Sequence, residues 1–384
     1  MKIETRAVHA GRRPERGTRD VVPAIHQSTT FQKADDGSLP GGYLYGRPNN
    51  PNREALEEAL ASLEDGAAAL AFSSGSAATL ALMHTLAPGD HVIAPDDAYY
   101  GTVILLNTHL RDWGLKSSLV DMRNLKAVES AVTPATKLIW AETPTNPLLH
   151  VSDIRGVAAI AKKAGALLVF DNTFATPLLQ HPLALGADVV MHSLTKYLSG
   201  HSDVLAGALI FRTTSGKTTA GQDAGALFEK ARAMQREGGS VPSPFECWLT
   251  MRGLQTFPYR MRAHCENAQR VAEFLEQQPQ IEAVHYSGLP RHPGHKIAAS
   301  QMSAFGGMLS IQVKGGQAEA FKVCAAVKIF THATSLGGPH SLIDHRASVE
   351  GPTTRSPLNL LRLSIGLEHP EDLIEDLKQA LAKV

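Results

Sequence analysis

The sequence predicts an α/β fold: a mostly parallel sheet with helices on both faces, followed by a smaller C-terminal α+β domain. Two observations carry this expectation. Between Ala67 and Phe211, short apolar segments alternate with helical stretches, the pattern of a parallel sheet covered on both sides. The composition then changes at Glu237-Gly238-Gly239-Ser240-Val241-Pro242-Ser243-Pro244, a run of turn formers that reads as a linker. The expected divisions are an arm over 1–45, an α/β domain over 46–240 and an α+β domain over 241–384.

Residues 1–45 show turn chemistry and little periodicity. A stretch of that length without a helix is expected to pack on another subunit. Within it, Arg12, Arg13, Arg16 and Arg19, broken by Glu15 and Asp20, read as a solvated cluster. Asn50 and Pro51 suit the cap and first position of a helix, and Leu56, Leu60 and Leu63 follow at helical spacing. Tyr45 and Arg47 lie just before that helix. Ala67–Phe72 reads as a strand, Ser73-Ser74-Gly75-Ser76 as a turn, and Ala77–Leu86 as a buried helix. A helix N-terminus after such a turn favours an anion, although capping turns of this composition are common.

Further strands are expected at His91–Ala94, Lys116–Val120, Lys137–Ala141, Leu167–Phe170, Val189–Met191 and Leu205–Phe211, with a helix over Ser152–Ala164. In such sheets ligands bind beyond the carboxyl ends of the strands. Tyr99, Glu142, Asn146, Asp171, Asn172, Ser193, Thr195 and Lys196 all fall there. Beyond the linker, a long helix is expected from Pro258 to Gln277, strands at Ala283–Tyr286, Gly307–Val313 and Leu361–Ile365, and a last helix from Pro370 with Leu373, Leu377 and Leu381 on one face.

Bulk properties narrow the function. Lys+Arg and Asp+Glu are both 37, and no block of like charge stands out, which argues against nucleic acid or an anionic membrane as the partner. Three cysteines without C-x-x-C spacing suit a reducing cytoplasm. No apolar run approaches a membrane span and no signal pattern opens the chain. His332, His340, His345 and His369 fit no zinc spacing and read as surface or turn histidines, so no metal is expected. No G-x-G-x-x-G follows the early strands, which argues against a dinucleotide enzyme.

The chemistry concentrates in Val189–Gly207. Lys196 follows a buried strand and is flanked by the hydroxyls of Ser193 and Thr195, a setting that keeps an amine dry and nucleophilic. Asp171 ends an apolar run, where a carboxylate is costly unless paired. Arg362 sits inside the apolar strand Leu360-Leu361-Arg362-Leu363-Ser364-Ile365, where a carboxylate ligand is its natural partner. Ser193-Leu194-Thr195-Lys196-Tyr197, continued by Gly200-His201-Ser202-Asp203-Val204, resembles the lysine motif of the Cys/Met-metabolism family of pyridoxal-phosphate enzymes. That family holds the cystathionine synthases and lyases, methionine γ-lyase and the homoserine sulfhydrylases.

The resemblance extends from Val21 to about His369. It implies an aspartate-aminotransferase-like (fold type I) architecture, pyridoxal 5'-phosphate as cofactor, and a homotetramer of two tight dimers with shared active sites. By the same resemblance, Lys196 binds the cofactor and moves protons, Asp171 pairs with the pyridine nitrogen, and Tyr99 stacks on the ring, with Tyr100 as the alternative by one residue. Gly75, Ser76, Ser193 and Thr195 hold the phosphate, joined by Tyr45 and Arg47 from the neighbouring subunit. Asn146 lies beside the ring, Arg362 takes the substrate α-carboxylate, and Thr334-Ser335-Leu336-Gly337-Gly338 forms a substrate-side loop.

The cystathionine γ-synthases and γ-lyases of the family typically carry Glu where Thr334 stands, and proline is common where Arg346 stands. A neutral Thr334 cannot pair with the distal amino group of cystathionine. Losing one charge-assisted hydrogen bond costs about 1.5–3 kcal/mol, roughly ten- to a hundredfold. The expected function is a C–S lyase acting on sulfur amino acids by β- or γ-elimination. The alternatives are γ-replacement on an O-acyl-homoserine, as in a cystathionine γ-synthase or sulfhydrylase, an aminotransferase, or a non-catalytic relative of the fold.

Overall fold

The computed structural model describes residues 1–13, 17–351 and 354–384; Glu15 and Arg16 of the N-terminal basic cluster lie outside the described residues. Seven strands form the large sheet: β1 (Ala68–Phe72), β2 (His91–Pro95), β3 (Lys116–Val120), β4 (Thr136–Glu142), β5 (Leu167–Asp171), β6 (Val189–Ser193) and β7 (Gly207–Phe211). Their spatial order is β1-β7-β6-β5-β4-β2-β3. β3, β2, β4, β5 and β6 are parallel, while β7 runs antiparallel between β6 and β1.

Both faces of this sheet are covered, which is why its strands read as continuous apolar runs rather than alternating ones. Leu168, Phe170 and Val190 pack into one core with Leu56, Leu60 and Leu63 of the helix Pro51–Leu63. Leu167, Val169 and Met191 face the other, with Leu82 and Met83 of the helix Gly75–Met83. Each leucine buried this completely contributes about 1.5–3 kcal/mol. Asn50 caps Pro51–Leu63 as its sequence predicts, its Oδ1 accepting from the Asn52 amide at 2.9 Å.

Five strands form the second sheet: β8 (Ile281–His285), β9 (Met308–Val313), β10 (Thr331–His332), β11 (Leu342–His345) and β12 (Leu360–Ser364), in the order β10-β11-β12-β9-β8. Leu309, Ile311, Leu361 and Leu363 pack there against Val271 and Leu275 of the helix Phe257–Glu276 and Leu373 and Leu377 of Pro370–Leu381. The chain therefore has the expected class, a large α/β layer structure and a smaller α+β one.

Several local expectations are corrected. The arm does contain a helix, Ile3–His9, whose Ala7 is buried in the large core. β7 begins at Gly207 rather than Leu205, because Leu205 is exposed and Ala206 is tied to Thr195. β10 and β11 have no apolar run to announce them. His345 is no surface or turn residue: it ends β11, is buried, and meets the Ser348 hydroxyl and the Leu358 carbonyl. Past the linker, Cys247, Leu254 and Phe257 pack into the large-sheet core, not the small one.

Candidate active site

The carboxyl ends of β4, β5 and β6 place three side chains in a row. Glu142 pairs in register with Asp171, and Asp171 with Met191, two residues before Ser193. β1 runs parallel to β6, since both are antiparallel to β7, so the turn after β1 opens on the same edge. There Ser74 caps Gly75–Met83, its hydroxyl accepting from the Ala77 amide at 3.0 Å. Gly75 lies so near β6 that an added Cβ would stand 3.1 Å from Ser193 Cβ. The helix N-terminus thus faces the strand ends with no side chain at its first residue.

These elements enclose a cavity of about 580 Å³. Gly75, Ser76, Tyr99, Tyr100, Asn146, Asp171, Ser193, Thr195, Lys196, Thr334, Ser335 and Arg362 all line it. Of the site residues expected from the sequence, Asn172, Tyr45 and Arg47 are not brought to it. Asn172 is fully buried away from the cavity, its Nδ2 donating to Glu64 Oε1 at 2.9 Å and to the Gln180 carbonyl at 3.0 Å. Tyr45 and Arg47 are about half exposed, and Arg47 is turned to the Arg236 carbonyl and Glu237.

Lys196 projects from the turn after β6, and its Nζ donates to Ser335 Oγ at 2.8 Å. Burial, then the charges of Arg362 and Arg346, lower its pKa from the usual 10.5 to about 8. Asp171 is buried, and its Oδ1 accepts from the Thr173 amide at 3.0 Å. Burial raises its carboxyl pKa, while the hydrogen bonds from Thr173 and the neighbouring His192 pull it back. Glu142 lies beside it with its pKa raised well above the usual value, by burial and then by the charge of Asp171. Glu142 Oε2 accepts from the Tyr99 amide at 2.7 Å and so fixes the start of the helix Tyr100–Asn107.

Arg362 is buried on β12. Its Nη1 donates to Asn146 Oδ1 at 3.0 Å and its Nη2 to the Ser335 carbonyl at 3.1 Å. Ser335 has φ +78°, the left-handed region, and a non-glycine residue held there is a mark of functional sites. Thr195 is engaged with backbone: its hydroxyl accepts from the Ala206 amide at 3.1 Å. Thr173, Glu142 and Arg346 line the cavity without an expected role. Thr173 Oγ1 accepts from the Ser193 amide at 2.9 Å, tying the ends of β5 and β6 together. Its position two residues after Asp171 was the available signal.

The fit to a pyridoxal phosphate is a matter of these atoms. A bare helix N-terminus suits a phosphate, a half-buried amine suits an aldehyde, and a buried carboxylate with no Lys or Arg ion pair among the described residues suits a protonated ring nitrogen. Comparison with known proteins decides the family. The family model described as "Cys/Met metabolism PLP-dependent enzyme" matches residues 4–382. The chain belongs to this family. Its relatives include a cystathionine gamma-synthase of Mycobacterium tuberculosis, 49% identical over 98% of this chain and 96% of the relative. A human cystathionine gamma-lyase is 44% identical over 98% and 93%. Among solved structures, metB from Corynebacterium glutamicum superposes with a TM-score of 0.94 at 42% identity, covering 100% of this chain and 98% of the other. Like the rest of the family, this chain is a pyridoxal-phosphate enzyme of sulfur amino-acid metabolism.

Proposed function

We propose that this chain is a C–S lyase that acts on the side chain of a sulfur-containing amino acid. Lys196 would hold the cofactor through its amine, and Asp171 would hold the proton of the ring nitrogen. The Gly75 and Ser76 amides and the Ser193 hydroxyl would hold the phosphate. Bound there, pyridoxal phosphate supplies a ring that stores the electron pair released at the substrate Cα. Arg362 binds the α-carboxylate in a fork that fixes which Cα bond faces Lys196. Once free, Lys196 Nζ takes the α-proton, and its lowered pKa leaves much of it neutral near pH 8. Tyr99, 43% exposed on the cavity wall, would share in moving the protons with Lys196.

The observation that carries the lyase reading is Thr334 on the cavity wall, where the family's γ-synthases and γ-lyases typically present a carboxylate. A second reading, γ-replacement as in a cystathionine γ-synthase, is favoured by the relatives. Those of that name reach 48–49% identity, against 42–44% for those named lyases. The test is kcat/KM for cystathionine, methionine, homocysteine and cysteine against O-acyl-homoserine plus cysteine, with keto acid, thiol and ammonia measured. A strong preference for γ-replacement would overturn the lyase reading. Turnover that required an added keto acid would point to an aminotransferase.

The same reading includes a homotetramer with shared sites. Tyr45 and Arg47 lie outside their own cavity, and Leu44 next to Tyr45, with Val21, Val22 and Ile25 earlier in the same arm, are exposed apolar residues. Such a band suits burial against another subunit. It also includes the division near residue 240 and a cytoplasmic setting, supported by three buried, unpaired cysteines. Among the described residues no helix is long and apolar enough to cross a membrane.

A further inference from the structure

The pairing of β11 with β12 sets Asp344 directly opposite Arg362. Two oppositely charged residues in that register, both buried, should close on each other. They do not. Asp344 Oδ2 lies 2.9 Å from Arg346 Nη1 but 3.8 Å from Arg362 Nη2. The other arm of Arg346 donates to Glu350 Oε1 at 3.3 Å. Glu350 is held in turn, its Oε2 accepting from the hydroxyls of Thr354 and Ser356, each at 2.7 Å. Arg346, Asp344 and Glu350 are 4%, 4% and 6% exposed, so this arrangement is fixed by packing.

The consequence falls on Arg362. Its direct hydrogen bonds go to neutral acceptors, Asn146 Oδ1 and the Ser335 carbonyl. Neutral acceptors orient a guanidinium without cancelling its charge. A carboxylate at hydrogen-bond distance would cancel it and compete with any incoming anion. We infer that Arg346 holds Asp344 away from Arg362 and thereby keeps Arg362 free to bind a substrate carboxylate. Arg346 is a positioning residue here, and the inference rests on the reading of Arg362 as the α-carboxylate ligand. Arg346 also lines the cavity, so direct contact with substrate is the competing role.

The experiment titrates the holoenzyme with L-alanine, which has an α-amino group and an α-carboxylate but no leaving group. Binding is followed by the visible absorbance of the cofactor. Arg346→Gln leaves Asp344 with Arg362 as its nearest cation, and Kd should rise by roughly ten- to a hundredfold. Adding Asp344→Asn removes the competing carboxylate, so Arg346→Gln/Asp344→Asn should bind alanine within about threefold of the parent protein. If the double variant stays as weak as the single one, or the single one binds normally, the inference is overturned. If Arg346→Gln does not fold because of its uncompensated carboxylate, the double variant decides alone. Glu350 keeps its two hydroxyls there, near-parent affinity supports the inference, and a tenfold loss refutes it. Arg362→Leu is the separate control. Unchanged alanine affinity in that variant would reject the reading of Arg362 itself.

Discussion

Gly207→Ala probes how tightly the anion end of the cavity is built. Gly207 opens β7 opposite Ser193, and a Cβ there would stand 2.2 Å from the Ser74 carbonyl oxygen and 2.6 Å from the Gly75 nitrogen. Ordinary Cβ contacts lie at 3.4–4 Å. The Ser74–Gly75 peptide must therefore withdraw by roughly 1 Å, because a close-packed interior offers no slack for the added carbon. Overpacking of this kind costs about 1–3 kcal/mol of stability. The functional cost is separate. Displacing one amide from the phosphate loses a charge-assisted hydrogen bond, and the Kd for pyridoxal phosphate should rise roughly ten- to a hundredfold. Titration of the cofactor-free protein by visible absorbance, beside its thermal unfolding, reads both. An alanine variant less stable but with parental cofactor affinity would refute the placing of the phosphate at Gly75. Parental stability would refute the packing argument.

Three further outcomes are expected. In the cofactor-free protein, capture of pyridoxal phosphate by Lys196 requires the neutral amine. Its rate should therefore rise with pH through a midpoint near 8, where burial and two arginines put the Lys196 pKa; a midpoint near the ordinary 10.5 would show that the amine is solvated. Mixing Arg47→Ala with Lys196→Ala under subunit exchange should restore activity, because some sites then hold both native residues. Hybrids that form without any rescue would place Arg47 outside the neighbour's site. Thr334→Glu should raise kcat/KM for cystathionine relative to methionine by roughly ten- to a hundredfold, and an unchanged ratio would mean that the loop does not set this preference.

The sequence announces the site better than it announces the sheet edges. Lys196, Asp171 and Arg362 are legible because each is a charge ending or interrupting an apolar run, and burial of such a group demands a partner. The helix Pro51–Leu63 is legible from its cap and its leucines. β10 and β11 are not, since Leu342–His345 owes its pairing to β12 and Thr331–His332 to β11, and neither carries a run of its own. The direction of β7 is equally silent, because residues buried on both faces give no sign of which way a strand runs. Arg346 is visible only as a departure from proline. Its i,i+4 pairing with Glu350 lies on the short helix Arg346–Glu350, and its pairing with Asp344 depends on that helix following β11 directly, a junction that no apolar run announces.

Borohydride reduction of the purified protein, followed by peptide mapping, tests the central claim most directly. The Nζ of Lys196 is half-buried, lowered in pKa and surrounded by groups that fit a phosphate, a ring nitrogen and an α-carboxylate. Reduction should fix pyridoxal phosphate to the peptide containing Lys196 and to no other lysine. A protein that stays colourless with added cofactor, or one labelled at a different lysine, would contradict it.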